Sequence, residues 1–132
     1  MRTFVNGLLL ALGVLMGGCG DRHNIAHSAK LDGIDLQVEI YPSPPTPGYN
    51  EFKVSLKKSG DWRPVDNVIV EMGVRKGPQD PVVAWSMGMQ DGLLGIYRRA
   101  VEIPSSGHWE AVIRVRKGEM EQQATFPLDV AP

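Results

Sequence analysis

Cysteine is almost missing from this chain: Cys19 is the only one in 132 residues. No internal disulfide can form, so a disulfide-stapled scaffold is excluded and the core must hold by apolar packing. Histidine is scarce as well, with only His23, His27 and His108. No Ser-His-Asp order, nucleophile elbow or phosphate-cradling loop accompanies them, and the residues point away from an enzyme. Charge of one sign never accumulates. Lys and Arg number 14, Asp and Glu 15, and the formal net charge is −1. That balance offers no basic field for nucleic acid. No stretch repeats its apolar residues with helical period. Beyond residue 16 no apolar run approaches the ~20 residues of a membrane span.

What is present begins at the N-terminus. "MRTFVNGLLLALGVLMGGC" has a charge at Arg2, then an uncharged apolar run, then small residues before Cys19. This is the layout of a secretory signal. "LMGGC" resembles the bacterial lipobox, with Met16 where leucine is usual, and implies cleavage before Cys19 and acylation of its sulfur. Lipidation also disposes of a lone thiol that would otherwise be a liability outside the cytoplasm. Residues 1–18 are thus expected to be a lipoprotein signal peptide, with the bilayer as a partner through acylated Cys19. Gly20 in place of aspartate after the cysteine implies the periplasmic face of the outer membrane in a Gram-negative cell. Residues 19–33 read as a polar tether, in which His23 and His27 are exposed.

From Ile34 onward the pattern has period two. Ile34, Leu36, Val38 and Ile40 alternate with polar residues, as do Phe52, Val54 and Leu56. Val68, Val70, Met72 and Val74 make a third face, and Trp109, Ala111, Ile113 and Val115 another. "VVAWSM", Leu93 to Ile103 and Glu119 to Val130 are further strand candidates, and Gly- and Pro-rich turns separate the runs. Residues 34–132 are therefore expected to be all-β: an immunoglobulin-like antiparallel β-sandwich of about seven strands.

The order of certain residues has a likeness. Asn50 precedes an alternating strand, Pro64-Val65 ends a turn, Gly95-x-Tyr97 opens a strand, and Pro104-x-x-Gly107-x-Trp109 turns into the next. This arrangement resembles the YtkA-like domain family, related to the soluble part of the nitrogen-fixation protein FixH. The resemblance covers residues 36–130 and implies an immunoglobulin-like sandwich outside the cytoplasm. It also implies a role in copper handling or respiratory oxidase assembly. Members often carry a Met- and His-rich segment before the Gly-x-Tyr strand, and here "WSMGMQ" occupies that place with no histidine.

Met87 and Met89 are the residues with chemistry to assign. Thioether sulfur is soft and suits Cu(I), and residues two apart on a strand share a face. Trp85 would share it, and Met72 or His108 is a candidate third donor. The competing reading packs Met87 and Met89 into the core or under a loop, since methionine fills irregular gaps. By its own strand pattern Met72 belongs to the core and His108 to the surface. Two functions follow as expectations. One is a lipid-anchored accessory protein for copper or oxidase assembly. The other is a metal-free module that contacts another envelope protein.

Overall fold

The computed structural model describes residues 25–132. The signal segment, Cys19 and His23 lie outside the described residues. Nine strands follow one another: β1 Ile25–Leu31, β2 Ile34–Tyr41, β3 Gly48–Lys58, β4 Ile69–Arg75, β5 Ser86–Met87, β6 Met89–Gln90, β7 Ile96–Ile103, β8 Gly107–Lys117 and β9 Met120–Val130. They form two antiparallel sheets. One has the order β1-β2-β3-β7-β6 and the other β5-β4-β8-β9. With β1 and β5 set aside, these are the ABED and CFG orders of an immunoglobulin sandwich.

Alternation built the sheets as the residues imply. Leu36, Val38 and Ile40 from β2 and Phe52, Val54 and Leu56 from β3 face Val70, Met72 and Val74 from β4 and Ala111, Ile113 and Val115 from β8. All are buried. Their strand neighbours carry the charges outward, which is how an antiparallel sheet keeps one face solvated.

The residues that carried the family likeness each serve this scaffold. Among the described residues Asn50 is the one buried polar side chain in the core, and it accepts from Thr46 N and donates to the carbonyls of Thr46 and Gly48. It thereby closes the β2–β3 loop. Gly95 has φ +79 and lies against the Leu56 carbonyl and Pro64, where a Cβ would stand 2.8 Å from both. Tyr97 Oη donates to the Val65 carbonyl at 3.1 Å, tying β7 to the β3–β4 loop. Burial raises the Tyr97 pKa above its ordinary value. Trp109 is buried, and its Nε1 donates to the Ser105 carbonyl at 2.9 Å.

Two expectations need correction. The tether does not run to residue 33, because Ile25–Leu31 is a strand paired along its whole length with β2. Ala29 and Leu31 pack against the core from the inner side. His27 is therefore not an exposed linker residue. It stands opposite the buried Val38, and its ring lies 5.2 Å from that of Phe126 in the facing sheet. Its Nε2 is buried without a protein partner. Desolvation lowers the His27 pKa. The second correction concerns strand number and bounds. "VVAWSM" does not make one strand, and β7 begins at Ile96, with Leu93 and Leu94 in the turn before it.

A histidine with a depressed folded pKa binds its proton more readily in the unfolded chain. Stability is then present above the unfolded value, near 6.5, and is lost as pH falls below it. Urea unfolding between pH 7.5 and 5.5 should show this loss, no steeper than about 1.4 kcal/mol per pH unit for one proton. His27→Leu should flatten that component. Trp109→Ala should cost about 3–5 kcal/mol in the same assay, while Lys57→Ala on the outer face should stay within about 0.5 kcal/mol.

Candidate functional site

After β4 the chain turns at Lys76–Asp80 and returns across the outer side of the second sheet. Val83 N donates to the Val74 carbonyl at 2.9 Å. Gly73 lies beneath this return. A Cβ there would stand 2.5 Å from Val82 Cγ1 and 2.6 Å from the Ala84 carbonyl oxygen. Val112, paired with Gly73 on β8, is fully buried although it belongs to the outward side of its strand. The absence of a side chain at residue 73 lets residues 82–84 lie flat there.

Trp85 follows and is half-buried. The Arg114 guanidinium sits 3.9 Å above its ring. Arg114 Nε also donates to Glu71 Oε1 at 2.9 Å, and Arg116 Nε lies 3.3 Å from the same oxygen, an ion pair without hydrogen-bond geometry. A guanidinium stacked on indole and bonded to a carboxylate at once is strongly positioned.

The chain then leaves the sheet. Ser86 and Met87 pair with Met72 and Glu71 of β4, whereas Met89 and Gln90 pair with Arg98 and Tyr97 of β7 in the other sheet. Gly88 stands at the crossing, and its N donates to the Val70 carbonyl at 2.7 Å. A Cβ on Gly88 would meet Met72 Cε at 2.8 Å and Tyr97 Cβ at 3.1 Å. Gly88 thus faces inward, and the residues on either side face outward.

Met87 and Met89 are accordingly exposed, at 52% and 57%. They are not core methionines. They straddle the edge of the sandwich, one on each sheet, beside Glu71 and Arg98 respectively. Neither candidate third donor joins them. Met72 is fully buried. His108 lies at the start of β8 and pairs with Asp129 at 2.5 Å. Met87 is level with Glu71, hence with Arg114, six residues along β8 from His108. At about 3.4 Å per residue that is roughly 20 Å. The trio Met87, Met89 and His108 is not brought together. Among the described residues no three His, Cys, Asp or Glu side chains form a metal-binding group. Glu71 is already engaged by two arginines, and Arg98 pairs with Asp91 and Glu51.

The crossing continues into a second exposed apolar pair. Leu93 and Leu94, at 65% and 60% exposure, occupy the β6–β7 turn, and Ile69 is exposed at the start of β4. Ile69 adjoins Val70, whose carbonyl receives Gly88 N. Sequence reasoning singled out the methionines but placed Leu93 and Leu94 in a strand. A "DGLLG" run, with glycines that take φ +70 and +79, was the turn signal. Comparison with protein-family models finds no match, and comparison with curated proteins finds none either.

Gly73→Ala should weaken the domain by about 1–3 kcal/mol in urea unfolding, because the new Cβ meets the Ala84 carbonyl as well as Val82 Cγ1, and backbone cannot rotate aside. Gly77→Ala, with its nearest atom 3.4 Å away and no positive φ, should be neutral or slightly stabilising. Trp85 emission should shift to the red in the Gly73 variant as residues 82–85 lift.

Proposed function

We propose that the protein is a lipid-anchored binding module of the bacterial envelope that presents the crossing edge of its sandwich to another envelope protein. The observation that carries the reading is the run of exposed apolar side chains Met87, Met89, Leu93 and Leu94 within eight consecutive residues. Large apolar groups grouped on one edge mark contact surfaces, and methionine adapts its shape to a partner. Arg98, Arg114 and Glu71 supply a charged border of the kind that fixes register. The anchor in this reading is acylated Cys19, at the end of an export signal. Its place is then the periplasmic face of the outer membrane in a Gram-negative cell.

The likeness to the YtkA-like family favours a second reading, in which the same edge handles Cu(I) for oxidase assembly. Its own observation is that both thioethers are open to solvent, as metal exchange requires. Two neutral sulfurs do not complete a copper site, so the partner would supply the remaining donors.

One experiment separates the two. Met87→Leu with Met89→Leu keeps apolar volume and removes sulfur. A photo-crosslinker at residue 93 in intact cells should give a discrete adduct that survives the leucine pair and is lost in Met89→Asp. A crosslinker at Gln123, on β9, should give none. If the leucine pair loses the adduct and Cu(I) titration of the parent shows tight binding that the leucine pair lacks, the copper reading replaces the first. No adduct and no Cu(I) binding by the parent would overturn both.

A further inference from the structure

The first sheet carries a separate groove on its outer face, on the strands farthest from the crossing edge. It encloses about 470 Å³ and is lined by β1, β2, β3 and the β3–β4 turn. That volume falls within the range of small-ligand sites. Its floor has two cross-strand rows. Lys30, Asp35 and Lys57 make one, and Ser28, Gln37 and Ser55 the other. With strands about 4.8 Å apart and rows about 7 Å apart, the floor measures roughly 10 by 7 Å. Every one of these side chains is a hydrogen-bonding group.

Trp62 forms the wall. The other two tryptophans are accounted for, Trp109 by burial and Trp85 by its stack with Arg114. Trp62 is 71% exposed. Its φ is +63, in the left-handed region that favours glycine and is rare for a bulky side chain. The turn holds it there. Lys58 N donates to the Arg63 carbonyl at 2.7 Å, Trp62 N to the Lys58 carbonyl at 3.2 Å, and Arg63 N to Asp61 Oδ1 at 3.0 Å. This indole, in a strained conformation, is offered to solvent beside the groove and is not part of the core. Strain kept in this way marks sites of function.

The charges define the ligand further. Ser59 Oγ and Lys30 Nζ both donate to Asp35 Oδ1, at 2.8 and 3.3 Å. Lys57 has no ion pair among the described residues and rests 5.4 Å from the Trp62 ring centroid. Such an exposed cation–π contact is weak. Lys57 is free to leave the ring for an anion and expose the indole face.

We propose that this groove binds an acidic oligosaccharide. A pyranose has an apolar face of axial C–H bonds and a rim of hydroxyls. The C–H face stacks on Trp62, the hydroxyls bond to Ser28, Gln37, Ser55 and Asp35, and a sugar carboxylate pairs with Lys57. The groove is distinct from the methionine edge, and the proposal does not depend on the reading given for that edge.

Isothermal titration calorimetry on the full chain tests it. Any detergent used to hold an acylated chain should be a polyoxyethylene ether, since a maltoside is itself a sugar. Tri-galacturonate should bind saturably, and neutral chitotriose about tenfold more weakly or not at all. Trp62→Gly suits the left-handed backbone and keeps the fold, yet should weaken tri-galacturonate about tenfold or more, as should Lys57→Gln. Absence of saturation with tri-galacturonate overturns the proposal. So does parental affinity in Trp62→Gly, or chitotriose binding as tightly as the uronate.

Discussion

The chain changes sheets at Gly88, and that crossing depends on a backbone with no side chain passing close to Met72 and Tyr97. One inward residue without a Cβ lets the segment lie directly on the core. Its neighbours are then forced outward, so Met87 and Met89 reach solvent as a consequence of Gly88. The same crossing closes one edge of the sandwich. At the opposite edge His27 of β1 meets Phe126 of β9, and Gln122 holds the Asp32 backbone through its side-chain amide. At that edge β1 and β9 each pair with a single neighbour, and these side-chain contacts join the two sheets there.

Gly73 is the counterpart of Gly88 on the outer face. It lets residues 82–84 lie against β4, and Trp85 just beyond them stacks with Arg114. The two glycines together determine where apolar surface is hidden and where it is shown. Val112 is hidden and Met87 exposed, although Met87 is level with Arg114, two residues along β8 from Val112. The order Asn50, Pro64-Val65, Gly95-x-Tyr97 and Trp109 belongs wholly to the scaffold. Each of those residues closes a loop, fits a close approach or satisfies a buried polar atom. A likeness in such positions speaks to the fold alone.

The groove beside Trp62 and the methionine edge lie at opposite margins of the first sheet, one on β1 to β3 and the other at β6. In the readings proposed above, a lipid-anchored module would meet two partners with these two margins. Of the residues 19–33 whose polar composition implies a tether, Ile25–Leu31 are instead strand β1.

The sequence by itself determined the class of fold, since period-two alternation in β2, β3, β4, β8 and β9 admits no other way to bury one face. It determined the core roles of Met72 and Trp109 by the same rule. It did not determine β1, because His27 and Ala29 are too weakly apolar to declare an inward face and become so only against Phe126 and the core. Nor did it determine whether Met87 and Met89 were inside or outside. Alternation says that they share a side, but which side depends on what Gly88 touches, and Val70, Met72 and Tyr97 are remote in sequence. His108 looked available to the methionines for the same reason: distance along the chain is silent about distance along a sheet. The exposure of Trp62, too, came only with the tertiary structure, where the turn hydrogen bonds impose a left-handed φ that no local pattern in "GDWRP" announces.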